Sequence, residues 1–195
     1  MPNHCSNWLD VLGDRDSIAE FKKLVTTPSV HDREKLGDDS EIISIYQRAY
    51  PCPKELYESD KWYAWCNTHW GTKWGDYDTT LNGESDTHLE FAFTTAWGPG
   101  VDGILNISRK FPNLVFITAY EEGGMCIVGA FGVQNGDILS DVEGKYPTVT
   151  AEEGEDDDYN WDEYFDKVVQ ESDRCKRMVV AGLSDETRSL FSVTT

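Results

Sequence analysis

Residues 88–120 read HLEFAFTTAWGPGVDGILNISRKFPNLVFITAY, and this stretch decides the fold class. Leu89, Phe91, Phe93, Thr95 and Trp97 alternate with His88, Glu90, Ala92, Thr94 and Ala96, the period of a strand with one strongly apolar face. Gly98-Pro99-Gly100 breaks that pattern. Ile104, Ile107 and Phe111 then recur at helical spacing, Arg109 and Lys110 fall in the last turn, where cations suit the helix dipole, and Pro112 stands just beyond. Leu114 to Tyr120 is a near-continuous β-prone run, as a central strand requires.

A second strand and helix precede this unit. Asn7 to Gly13 reads as a strand with Leu9 and Val11 on one face. A helix follows, capped by Asp14 or Asp16, with Ile18, Phe21, Leu24 and Val25 inward, and Thr27-Pro28 stops it. On the other side, Glu121 to Gly124 turns the chain into a strand from Met125 to Val133, whose Gly129 and Gly132 mark a bulge or a close backbone approach. Asn135-Gly136 is a tight-turn signal leading to a last strand from Asp137 to Val142. Two strand–helix units with a mainly antiparallel sheet predict an α+β, ferredoxin-like sandwich with helices on one face, the other face being free for the Trp region or a partner. The domain is expected to span 1–147.

Residues 29–87 read as an insertion with little regular structure except one helix. Ser59 offers an N-cap, Trp62, Trp65, Cys66, His69 and Trp70 form one stripe, and Gly71 can close it. The following TKWGDYDTTLNGESD is polar and turn-rich. An acidic linker is expected over 148–160. In 161–195, Trp161, Phe165, Val168, Ser172 and Cys175 predict an amphipathic helix to about Arg177, to dock on the sheet or to serve a partner, and then a tail.

Of 195 residues, 36 are acidic and 17 basic, a formal charge of −19 that repels a phosphate backbone and attracts basic partners. Direct nucleic-acid binding is therefore not expected. No apolar run approaches the roughly 20 residues that span a bilayer. With no basic stretch followed by an apolar one at the N-terminus, the chain is expected in the cytoplasm of the cell that makes it. The five scattered cysteines fit free thiols in a reducing compartment.

Four blocks carry a resemblance: MPNHCSNWLDVLG, WCNTHWGTKWGDYD, FAFTTAWGPG and FPNLVFITAYEEGGMCIVG. In order and spacing they resemble the Api92-like, YubB-type proteins of bacteriophages and conjugative plasmids, which have a ferredoxin-like domain. The likeness runs from Met1 to about Gly132, with the long connector and the acidic C-terminal part outside it. At the third block the family tends to have Ser-Pro-Pro after TAW, where this chain has Gly98-Pro99-Gly100, so no role resting on that serine or second proline carries over. The resemblance implies the fold and a mobile-element setting inside a bacterial host, with no settled reaction. Small acidic proteins in that setting are often antagonists of host restriction or CRISPR components.

Each candidate site has a plainer reading beside it. Cys66 and His69, with His4 and Cys5, have partial zinc spacing, but strand neighbours point to opposite faces, so no metal is assigned. A thiol nucleophile would draw on Cys5 or Cys66 with His4, His69 or His88 and Glu90. No known motif flanks either cysteine, and Cys66 and Cys126 read as buried, inert thiols. Glu121 and Glu122 read as solvated turn residues. The glycines of 97–103 lack a phosphate-binding lysine and read as a strand-to-helix turn on which Trp97 packs. Lys73, placed with Trp70, Trp74 and Asp76, is the candidate for holding a nucleotide or a peptide. No cofactor is assigned.

The expectation for function is binding rather than catalysis. Glu152, Glu153, Glu155, Asp156, Asp157 and Asp158 would meet a basic host protein that acts on nucleic acid, imitating a polyanion, with Trp74 and Trp161 as aromatic anchors. The rivals are a small-ligand or nucleotide-binding protein or hydrolase using the Trp-rich region, and an assembly module, possible as a homodimer.

Overall fold

In the computed structural model, which describes residues 3–27, 43–147 and 161–191, six strands form one antiparallel sheet. They are β1 (His4–Leu12), β2 (Tyr77–Glu84), β3 (His88–Ala96), β4 (Val115–Glu122), β5 (Ile127–Gln134) and β6 (Asp137–Glu143), in the order β2-β3-β1-β4-β5-β6. β1 is central because it pairs with both β3 and β4, Asp10 lying opposite Glu90 on one side and Ile117 on the other. The first four strands have the ferredoxin-like order, with helix α1 (Arg15–Thr26) after β1 and helix α5 (Val101–Lys110) between β3 and β4. The hairpin β5–β6 extends the sheet beyond β4.

Asp14 caps α1, its carboxylate accepting from the amides of Asp16 at 3.1 Å and Ser17 at 3.0 Å. The helix buries Ile18, Phe21 and Val25 against the sheet. Phe21 meets Phe91, Phe111 and Phe116 edge-on with centroids 5.2 to 6.3 Å apart, an arrangement that suits the ring quadrupoles. α5 closes the same layer with Ile104 and Ile107.

Between α1 and β2 lie two single-turn helices, α2 (Tyr46–Ala49) and α3 (Lys54–Tyr57), and the tryptophan helix α4 (Trp62–His69). The insertion thus holds more helix than its polar sequence suggested. It also ends earlier. The segment of β2 reads as turn-rich loop from its sequence, yet Tyr77, Thr79, Leu81 and Gly83 alternate with exposed partners along an edge strand. Only the pairing with β3, irregular between Tyr77 and Thr80, makes a strand of so polar a segment.

Tyr46 fastens the insertion to the fold. It is fully buried, its hydroxyl donates to the carbonyl of Gly100 at 2.9 Å, and its ring stands edge-on to Trp70 and Phe93. Two glycines make room for it. Gly100 sits at φ 64°, and a Cβ on Gly103 would lie 2.0 Å from the Tyr46 ring.

The second face of the sheet is not free. Helix α6 (Trp161–Gly182), longer than expected, crosses β4, β5 and β6 and is followed by α7 (Asp185–Phe191). Cys175, Val179 and Leu183 pack on Leu12, Val115, Ile117, Ala119 and Ala130. Small residues set the approach, since a Cβ on Gly132 would lie 3.0 Å from Val179. The C-terminal helix therefore docks, and helices lie on both faces. Its edge is held by Glu171, which accepts from Arg174 at 2.6 Å and from the Lys145 amide at 2.8 Å. No helix of the described residues is long and apolar enough to cross a membrane.

Two outcomes test this layering. Gly103→Ala forces the Tyr46 ring out of place and is expected to cost about 1–3 kcal/mol in urea unfolding. Arg174 and the Lys145 amide hold the Glu171 carboxyl down to about 2, from an ordinary 4.5. Its contribution is therefore full above pH 4.5 and is lost as pH falls toward 2. Unfolding midpoints of the wild type and Glu171→Gln should converge across that window.

Candidate functional site

The tryptophan helix and the loop after it build a pocket. Gly71, at φ 70°, turns the chain out of α4, and Thr72 pins the return by donating to the Ala96 carbonyl at 2.8 Å and accepting from its amide at 3.1 Å. The loop then passes beside α2, enclosing a cavity of about 440 Å³. Its walls are the rings of Trp62, Trp70 and Trp74, with Gln47, Cys66, Gly75 and Asp76 completing the lining.

Trp70 is a core residue on its other side. Its indole N–H donates to the Tyr50 carbonyl at 2.9 Å, and its own carbonyl accepts from Gly103. Asp76 is structural too. Its carboxylate accepts from the amides of Ile45 and Tyr46 at 2.8 Å each, from Thr79 at 2.6 Å and from Ser44 at 3.3 Å, so it ties the start of α2 to the start of β2. Burial pushes its pKa up, against the pull of those donors.

Lys73, expected beside them, does not line the pocket. Its ammonium lies 4.8 Å from the Trp74 ring centroid and 5.7 Å from that of Trp97, a cation between two indole faces. Trp97 is itself a correction to the alternation of β3. At φ 68° it leaves the strand and stays 38% exposed instead of packing inward. Gln47 is the lining residue that sequence reading missed; inside SIYQRAY it carries no signal. Its Oε1 is buried and accepts no hydrogen bond among the described residues.

The thiols are not poised for attack. Burial pushes both Cys5 and Cys66 up to about 12, so neither is a thiolate near neutrality. Cys126, read as buried, is exposed at φ 55° in the β4–β5 turn. Glu122, read as solvated, is buried there and closes the turn by accepting from Gly124 at 2.8 Å and Met125 at 2.7 Å. Glu121 accepts from Ser6 at 2.8 Å.

The four residues with partial zinc spacing do not come together. His4 bonds Tyr77 at the surface, Cys5 faces the core, and His69 stacks on Trp65 at 4.4 Å. Among the described residues a different group has ligand atoms within 4.8 Å of one another: Asp10, His88 and Glu90. The β1–β3 register brings them to one face, which sequence order could not reveal. His88 Nε2 lies 2.8 Å from Asp10 Oδ1, and the Lys176 ammonium pairs with Asp10 Oδ2. The group thus joins α6 to the central strand. The acids Glu152, Glu153, Glu155, Asp156, Asp157 and Asp158 lie outside the described residues, and Trp161 opens α6.

Residues 76–168 match the family model described as the ferredoxin-like domain in Api92-like protein. Over those residues the chain is similar to the Api92-like family. A crystal structure of protein api92 from Yersinia pseudotuberculosis has the same fold, with a TM-score of 0.50 at 12% identity, covering 76% of this chain and 99% of that one. No curated protein matches the sequence. The Api92-like match begins at Asp76 and reaches into α6, so it spans the acidic stretch that the quoted blocks had left outside.

Two variants separate structure from recognition at this site. Asp76→Ala leaves four donors without their acceptor and should cost about 2 kcal/mol of stability. Lys73→Ala removes only a cation–π contact and should cost about 0.5–1 kcal/mol in the same urea experiment.

Proposed function

We propose that this protein acts inside a bacterial cell as an accessory of a phage or related element, by binding a basic host protein that acts on nucleic acid and blocking it. The charge of −19 carries this reading. The structure adds that cations are spent on the protein's own acids: Arg15 on Asp86, Lys22 on Glu84, Arg174 on Glu171, Lys176 on Asp10 and Arg188 on Asp185. The surplus acid is left for a partner, with restriction and CRISPR components as the candidate class.

We assign to that partner the acids of 152–158, which lie outside the described residues, and the outer side of α6. Phe165 and Val169 stand exposed one turn apart at 58% and 46%, among Asp162, Asp166 and Asp173. Apolar anchors ringed by charge are how such interfaces gain both affinity and speed. Edge pairing of two copies has less in its favour, because β6 carries Asp137, Asp141 and Glu143 along the outer edge of the sheet.

A second reading has its own observation. A cavity of about 440 Å³ walled by three tryptophans falls within the roughly 300–1,000 Å³ of small-molecule sites. It favours a ligand-binding protein over a hydrolase, since the lining thiol is protonated.

Capture of host proteins on the full chain, identified by mass spectrometry, tests the first reading. Captured basic protein should fall at least about tenfold between roughly 0.05 and 0.3 M salt. It should fall as far when Glu152, Glu153, Glu155, Asp156, Asp157 and Asp158 are changed to their amides, and further with Phe165→Ser. Capture insensitive to both salt and neutralisation sinks the polyanion idea.

A further inference from the structure

We infer that the tryptophan-walled pocket recognises a guanidinium group, a planar cation carrying N–H donors, rather than the anionic nucleotide that Lys73 first suggested. The inference deepens the small-ligand reading of the pocket and rests on it.

The aromatic and acidic parts of the lining favour a cation. Trp62, Trp70 and Trp74 line it with indoles, the aromatic rings that attract positive charge most strongly and on whose faces a planar guanidinium can stack. The Asp76 carboxylate adds negative field, while its four hydrogen bonds leave it little capacity for a further donor. The acceptor that remains is Gln47 Oε1, buried without a donor. A buried acceptor without a donor is costly, and a ligand N–H meets that need.

Among the described residues no cationic side chain lines the pocket. The one basic side chain of the loop, Lys73, is turned outward over Trp74 and Trp97. The thiol of Cys66 is protonated and supplies neither charge nor nucleophile. Trp74 moreover already binds a cation intramolecularly, with the Lys73 ammonium 4.8 Å from its ring centroid. The net charge of −19 raises the local concentration of cations over that of nucleotides.

The chemistry has two sources, an arginine side chain of a protein or a free guanidinium compound. Calorimetric titration with L-argininamide, L-citrullinamide and adenosine monophosphate tests the class. Citrullinamide keeps the planar shape and part of the N–H donor set, a carbonyl oxygen replacing one amino group, but lacks the side-chain charge. Argininamide should bind saturably, citrullinamide at least about tenfold more weakly, and the nucleotide not at all. Gln47→Leu and Trp62→Ala should each weaken argininamide binding at least about fivefold with an unchanged far-ultraviolet spectrum, and Trp74→Phe serves where either fails to fold.

A peptide arm separates the sources. Acetyl-Gly-Arg-Gly-amide binding at least as tightly as argininamide assigns the pocket to a protein side chain, and weaker binding assigns it to a free compound. Equal binding of citrullinamide, or tighter binding of the nucleotide, overturns the guanidinium inference while the pocket stays a ligand site. No saturable binding by any probe, the peptide included, overturns both.

Discussion

The burial of Tyr46 on the glycines at the start of α5 is the contact on which the rest depends. One side chain there touches the insertion, the sheet and the start of α5 at once: Trp70 through its ring edge, Phe93 from β3, and the Gly100 carbonyl through its hydroxyl. Its backbone amide is held by Asp76, which also fixes Thr79 at the start of β2. The loop between α4 and β2 is therefore tied at both ends, by Thr72 to β3 and by Asp76 to α2. A pocket walled by large indoles stays open because this frame, rather than the indoles themselves, sets its dimensions.

The two faces of the sheet are finished by different means. The first is closed by aromatic packing around Phe21, which needs no polar help. The second is closed by α6, whose apolar stripe ends near a buried polar group, Asp10 with His88 and Lys176. An aspartate buried on a central strand is tolerated only with paired partners, so Lys176 and His88 both stabilise it and fix where α6 lies along β1. The exposed Phe165 and Val169 stand on the outer side of α6, while the pocket belongs to the helical layer on the opposite face of the sheet.

Much of the fold was legible because its signals are local. The alternation of β3, the stripe of α5, the Asn135-Gly136 turn at φ 49° and 82°, and the αL position of Gly71 each follow from residues within one turn or strand. The misreadings have one physical origin. β2 is an edge strand whose hydrogen bonds come from β3, so its own composition of Asp, Asn, Thr and Gly argued for loop. Glu122 is buried because two turn amides need its carboxylate, and Cys126 is exposed because the same turn points it outward. In each case a distant or geometric partner outweighed the residue type.

The candidate site divides along the same line. The sequence by itself determined the ferredoxin-like class, the tryptophan helix and the excess of acid, because periodicity, turn chemistry and charge are carried by neighbours along the chain. Only the tertiary structure decided that Lys73 faces away from the pocket, that Gln47 lines it, that Asp10, His88 and Lys176 meet, and that α6 covers the second face. Those facts depend on strand register and on packing between segments far apart in sequence, where a shift of one residue along a strand exchanges one face for the other.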